Sequence, residues 1–260
     1  MSTWTPFPHD ASALSYGGDK LWQAWERLHA GDQEPWPEDE ASQEAWRAYH
    51  RGDFQTAVAL GLKAETASGM NAANKAQSIY ATYLVEDEDA KKELFEEVAD
   101  RAEVAAKENP NNINAHYQHA YALGRYSQAI SIAKALAQGI AGKCKASLDR
   151  TLALAPEHAE AHIALGAYHA EIIGKVGSMV GSLTYGVSKD AAEAHYEKAL
   201  ELIPHSAIAR IEYGNGLLTL YGNKKVKDAT KLYEAAAECE PRDAMETLDV
   251  AFAKSELSDD

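Results

Sequence analysis

Apolar positions between His158 and Pro204 recur every three or four residues, the spacing of a helix that buries one face. The first half carries small residues at Ala161, Ala164 and Ala167 and larger ones at Ile163, Leu165 and Tyr168. The second half continues with Ala192, Tyr196, Ala199 and Leu202, and Pro204 stops it, because proline cannot extend a helix. The pattern predicts two antiparallel helices in which small side chains receive large ones, the unit of a helical repeat.

The same alternation returns along the chain. Residues 40–67 predict a helix pair turning at Gly52, Asp53 and Phe54, with Ala57, Gly61 and Ala64 at the small positions. Residues 71–85 and 86–109 predict a second pair, whose second helix has Phe95, Val98 and Ala102 inward and a charged run outward. A third pair runs from Asn112 to Pro156, with Ala115, Ala120 and Ala122 at the core positions of its first helix. The fourth is the stretch described above. A fifth, from Ser206 to Pro241, holds Tyr213, Gly214, Ala229, Tyr233 and Ala236 in register. Pro110, Pro156, Pro204 and Pro241 stand 46, 48 and 37 residues apart. Against a unit of about 34 residues, the third and fourth repeats carry about 12 and 14 extra. The pattern resembles the tetratricopeptide repeat. The expected fold is all-α, a right-handed superhelix of tetratricopeptide-like helix pairs with two lengthened repeats.

The flanks differ from the repeats. Residues 1–17 contain two prolines and predict an extended arm, whose Trp4 and Phe7 are costly to leave in water and should dock on the array. Residues 18–39 predict a tryptophan-rich cap. Ala24–Asp32 (AWERLHAGD) matches Ala45–Asp53 (AWRAYHRGD) at an offset of 21, and all five tryptophans fall within residues 4–46. Repeats then occupy residues 40–242, with insertions at about 126–146 and 171–189. Residues 243–260 predict a capping helix and tail.

Charge narrows the partners. The net charge of -15 divides into -11 over residues 1–110 and -4 over 111–260, a balance that repels phosphate backbones and argues against nucleic acid. Cys144 and Cys239 each stand alone in a helical segment, which predicts reduced, buried thiols and a cytoplasmic location. The N-terminal residues lack a basic start followed by an apolar run, so no signal peptide is expected. No stretch of 18 apolar residues predicts a membrane span.

The insertions are not loop-like. In the fourth repeat Ala167, Ala170, Gly174, Gly177 and Gly181 fall on one side of a helical wheel, and Ile172, Val176, Met179 and Leu183 on the other. Glycine costs about 1 kcal/mol in a helix, so the stripe predicts a closely approaching backbone. Both insertions are expected to lengthen the first helices of their repeats and to pack on each other, with the opposite apolar side covered as well. Around them stand Asn109–Tyr117 (NPNNINAHY), Ala122–Arg125 (ALGR) and Lys145–Pro156 (KASLDRTLALAP). On these residues the chain, from about Asn109 onward, resembles the regulator of microtubule dynamics family and its bacterial relatives. The resemblance implies a helical repeat fold and a non-catalytic role.

Candidate chemistry is sparse. His158 and His162 flank Glu160 as H-x-E-x-H, not the H-E-x-x-H of zinc proteases, and His116 and His162 share one repeat position, where a large packing residue is usual. Neither a nucleophile elbow nor a phosphate loop is present. No catalytic residue, metal or cofactor is therefore expected. First helices of such repeats line a groove, to which the register assigns Tyr117, Tyr121, Ile163, Ala167, Ile211 and Asn215. The lysine–asparagine set by which some arrays hold a C-terminal carboxylate is missing from these positions. The groove therefore suits an apolar or helical segment of another protein. Other readings stand beside this: the chain's own N-terminal arm or C-terminal helix filling the groove, a hydrophobic small molecule carried between the insertions and, as the weakest, an enzyme using His116, His162 or His169. Oligomeric state is left open.

Overall fold

The computed structural model describes residues 4–258, and within them the chain forms helices, turns and irregular segments without a strand. Residues 1–3 of the expected arm and 259–260 of the expected tail lie outside this range. Packing divides the described chain into two units. The first takes in the residues up to His29, then Gln33–Pro156 and Asp243–Met245. The second takes Ala30–Asp32, Glu157–Arg242 and the residues from Glu246 onward.

The first unit contains α1 (Lys20–Leu28), α2 (Glu40–His50), α3 (Phe54–Ala64), α4 (Ala67–Tyr83), α5 (Glu88–Glu108), α6 (Ile113–Gln128), α7 (Ile132–Ala137) and α8 (Ile140–Leu154). Their starts follow from single polar residues. Asp39, Asp53, Thr66, Asp87 and Asn112 each accept the backbone N–H three residues on, which satisfies a donor the helix cannot. Each such cap contributes about 1 kcal/mol. Helices pair in sequence, α2 with α3, α4 with α5 and α6 with α8. First helices also lie side by side, α2 against α4 and α4 against α6. Trp46 and Tyr49 of α2 are fully buried in this core. The arm packs on the same helices: Trp4 stacks on Tyr80 at 3.8 Å, and Phe7 meets Phe54 edge-on at 6.5 Å. Gly52, at φ +86°, makes room for the Phe7 ring, since a Cβ there would stand 2.5 Å from it.

The second unit contains α9 (Ala159–Val176), α10 (Ser178–Tyr185), α11 (Lys189–Leu202), α12 (Ala207–Tyr221), α13 (Val226–Ala237) and, from Glu246, most of α14 (Ala244–Ser258). Here α9 pairs with α11 and α12 with α13, while α9 lies beside α12. His158 caps α9 with its imidazole, Nδ1 accepting from the Ala161 amide at 3.0 Å. The Glu160 amide is met by the Gly31 carbonyl at 3.0 Å. Tyr196, Ile163, Ala170 and Ile173 form one core cluster; Ile211, Tyr233, Ala236 and Val250 form another.

The insertions differ from the expected lengthened helices. In the first unit the extra residues close into α7, set off from α8 by Gly139 at φ +64°. In the second unit α9 stops at Gly177 and α10 begins after it. Part of the glycine stripe does face a neighbour, because a Cβ on Gly174 would stand 2.8 Å from the Thr219 methyl of α12. Gly177 faces open space instead and is needed for its backbone, φ +82° and ψ 157°, a region essentially closed to L side chains. The opposite side is covered only in part: Ile172 packs on the core cluster and Val176 is half-buried, whereas Met179 is 76% and Leu183 84% exposed. Gly177→Ala and Gly177→Leu are thus expected to cost about the same, roughly 1–3 kcal/mol. A much larger cost for leucine in urea denaturation would restore overpacking as the cause.

Candidate functional site

The structure separates the residues assigned to a groove into those that serve the core and those that stay accessible. On α6 Tyr117 is buried, while Tyr121, one turn later, is half-buried, with ring centres 6.1 Å apart. The Tyr121 hydroxyl lies 3.0 Å from Thr82 Oγ1 of α4, and the Arg125 guanidinium sits 5.3 Å over its ring. Ala115, Ala120 and Ala122 pack inward beside them. In the second unit Ile163 and Ile211 belong to the two core clusters. Ala167 is half-buried and Asn215 exposed, its Oδ1 accepting from the Tyr233 hydroxyl at 2.7 Å. The first-helix faces therefore present Tyr121 in one unit and Ala167 and Asn215 in the other.

Phenols are the other polar groups of the second unit. Burial, then the Glu197 charge, pushes Tyr213 up to about 12; its ring stacks on Tyr196 at 5.1 Å. The hydrogen bond to Glu193, then burial, pushes Tyr221 up to about 12. Both stay protonated and donate at neutral pH.

A second constellation, in the first unit, is absent from the sequence-based assignment. Residues 33–37 run without helix between α1 and α2. Glu34 is only 4% exposed, and its carboxylate accepts from Ser68 Oγ at 2.7 Å, Asn71 Nδ2 at 2.8 Å and Asn114 Nδ2 at 2.7 Å. Asn71 and Asn112 exchange side-chain hydrogen bonds at 3.1 and 3.3 Å, and Gln118 Nε2 holds the Asn71 carbonyl at 3.0 Å. Trp46 Nε1 donates to Ser68 Oγ at 3.0 Å. The donors thus come from the first two turns of α4 and the first turn of α6, near helix N-termini whose dipoles also favour an anion. A cleft of about 220 Å³ opens beside Glu34, lined by Pro35, Trp36, Pro37, Asn111 and Ile113. The usable signal was α4 itself, whose Asn71, Asn74, Gln77 and Ser78 are all buried. Buried polar residues on a helix imply partners.

The histidines fall into local pairs. His50, fully buried, places Nδ1 2.9 Å from Asp243 Oδ2 and Nε2 3.3 Å from His29 Nε2. The rings of Trp25 and Trp46 close around them, Trp25 lying 3.9 Å from His29. Burial holds His50 below its ordinary value; the Asp243 contact opposes this, and the His29 and Lys75 charges add to it. His119 is likewise lowered by burial, against the pull of Glu103, and its Nδ1 lies 2.8 Å from Ser147 Oγ. His162 and His195 meet through their Nδ1 atoms at 2.9 Å. His116 Nε2 contacts the Pro110 carbonyl at 3.1 Å. Among the described residues no group of three or more His, Cys, Asp or Glu side chains is arranged to hold a metal. Cys144 is a buried thiol, whereas the Cys239 thiol is half-buried, which corrects the expectation that both would be enclosed.

With this geometry in hand, the similarities to known proteins are specific to the fold. The family model described as "Regulator of microtubule dynamics protein 1-3" matches residues 45–257, so the likeness begins well upstream of Asn109, within α2, and takes in α3 through α5. No curated protein matches. The crystal structure of a thermophilic TPR protein in Thermus thermophilus is similar at a TM-score of 0.58 and 17% identity, covering 83% of this chain and 97% of that one.

Proposed function

The chain belongs to the regulator of microtubule dynamics protein 1-3 family, and from that premise we propose that it is a non-catalytic scaffold binding an apolar or helical segment of another protein on its first-helix faces. The observation that carries this reading is the side-by-side arrangement of first helices, α2 on α4 on α6 in one unit and α9 on α12 in the other. That arrangement exposes one continuous set of helix faces in each unit, the geometry that receives an amphipathic helix. Tyr121 offers aromatic contact area in the first unit; Ala167 and Asn215 offer a shallow surface in the second. No small-molecule pocket enters this reading. The thiols of Cys144 and Cys239 suit a reducing compartment such as the cytoplasm. No helix of the described residues is long and apolar enough to cross a membrane. The net charge of -15 disfavours nucleic acid.

Site-specific photo-crosslinking tests the assignment. A benzophenone side chain at Asn215 or Tyr121 should capture one protein in stoichiometric yield from native extract. The same group at Val104, exposed on the second helix α5, should capture at least tenfold less. Equal capture from Val104 would show that the first-helix faces are not the binding surface.

A further inference from the structure

We propose that Glu34 and the residues after it are a ligand held in cis, and that the Ser68–Asn71–Asn114 cradle is a binding site for extended peptides carrying an acidic residue followed by proline and an aromatic residue. The surface lies at the N-terminal turns of α4 and α6, apart from Tyr121, and does not depend on what binds there.

Three observations converge on this. The cradle gives one carboxylate three side-chain donors at 2.7–2.8 Å, and two of the donor residues, Ser68 and Asn71, are held in turn by Trp46, Asn112 and Gln118. Donors fixed before the acid arrives are the mark of an anion site, since little ordering cost remains. Secondly, the segment lies in the cradle as a bound peptide would. It runs without helix, is stiffened by Pro35 and Pro37, and is anchored at both ends of its main chain. Trp25 Nε1 donates to the Glu34 carbonyl at 2.8 Å, and Gln43 Nε2 to the Pro37 carbonyl at 3.0 Å. Trp36 sits edge-on against Trp25 at 5.0 Å, and the cleft continues beside it. Thirdly, host and occupant stand on opposite sides of the start of the family match. Ser68, Asn71 and Asn114 lie within the span the family shares, residues 45–257, whereas Glu34–Pro37 lie before it.

A tethered occupant acts at an effective concentration in the millimolar range, so an outside peptide meets the site mostly closed. Opening it must therefore raise apparent affinity.

The probe is a fluorescein-labelled octapeptide copying residues 31–38, Gly-Asp-Gln-Glu-Pro-Trp-Pro-Glu, read by anisotropy against the full chain. A chain carrying Glu34→Ala with Trp36→Ala should bind it about 100-fold more tightly than the unmodified chain does. The gain should fall at least tenfold when the probe's central glutamate, the copy of Glu34, is replaced by glutamine, and again when Asn114→Ala is added to the chain. A folded double variant that does not take up the peptide overturns the proposal, as does uptake indifferent to the glutamine probe. Should the double variant not fold, Glu34→Gln replaces it, because its amide oxygen can still accept from Asn71 and Asn114 while its amide NH2 donates to Ser68 Oγ. That chain should fold and bind the probe at least tenfold more tightly than the unmodified chain. If it unfolds, or folds without the gain, Glu34 is a fixed strut of the core and no exchangeable ligand.

Discussion

Gly216→Ala is expected to destabilise the second unit by about 3 kcal/mol, the upper part of the range for an overpacked core. The cause is one aromatic ring with no room on either side. A Cβ on Gly216 would stand 2.5 Å from Cε2 of Tyr196, and one on Gly166 would stand 2.7 Å from Cε1 on the same ring. Tyr196 is 1% exposed, and the Tyr213 ring stacks on it, so it cannot yield toward either glycine or toward solvent. Helices α9, α11 and α12 meet only because two of them are bare where the third carries a tyrosine. Urea denaturation should show Gly166→Ala costing a similar amount. In a Tyr196→Leu background the added cost of either alanine should fall below about 0.5 kcal/mol, since the pair no longer couples. Gly216→Ala chains as stable as their parent would show that the ring moves freely.

The second large effect is a loss of stability in the first unit as pH falls. His50 is neutral in the folded chain because burial lowers its affinity for a proton, whereas in the unfolded chain it titrates near 6.5. Above that pH both states are neutral and nothing is lost. Below it only the unfolded state takes up the proton, so stability falls as pH drops toward the folded value, by at most about 1.4 kcal/mol per unit. His119, lowered by burial, adds a contribution of the same sign. Together they are expected to lower stability between pH 7 and 5, by no more than the roughly 4 kcal/mol that two fully suppressed protons would give. His50→Gln should reduce that slope by about half in urea midpoints measured from pH 5 to 8. An unchanged slope would assign the acid sensitivity to other groups.

Helix pairs were legible because their determinants are local. Pro110, Pro156, Pro204 and Pro241 punctuate the chain, and Ala192, Tyr196 and Ala199 show the buried face of α11 directly. The helix break in the fourth repeat was not, because a wheel treats Gly177 as one more small residue and cannot show that its φ is positive. Burial of Ile163 and Ile211 was hidden for a related reason: repeat register gives the side of a helix but not how deeply its neighbours cover it. The Glu34 cradle lies beyond periodicity altogether. Its members sit at positions 34, 68, 71 and 114, brought together by stacking of successive pairs, and only the polar run on α4 hinted at it. The same holds for His50, whose partner is 193 residues away.

That separation governs when the first unit can be finished during synthesis. Asp243 and Met245, which contact His50 and Tyr49, lie 193 and 196 residues downstream of them. At about 5–20 residues per second, a ribosome needs roughly 10–40 s to make the intervening chain. Once Leu154 has been made, α1 to α8 can pair among themselves for the rest of that interval, while Nδ1 of His50 faces a slot without its carboxylate. A nascent chain halted just before Asp243 would therefore carry its defect near the other end, among the tryptophans made first.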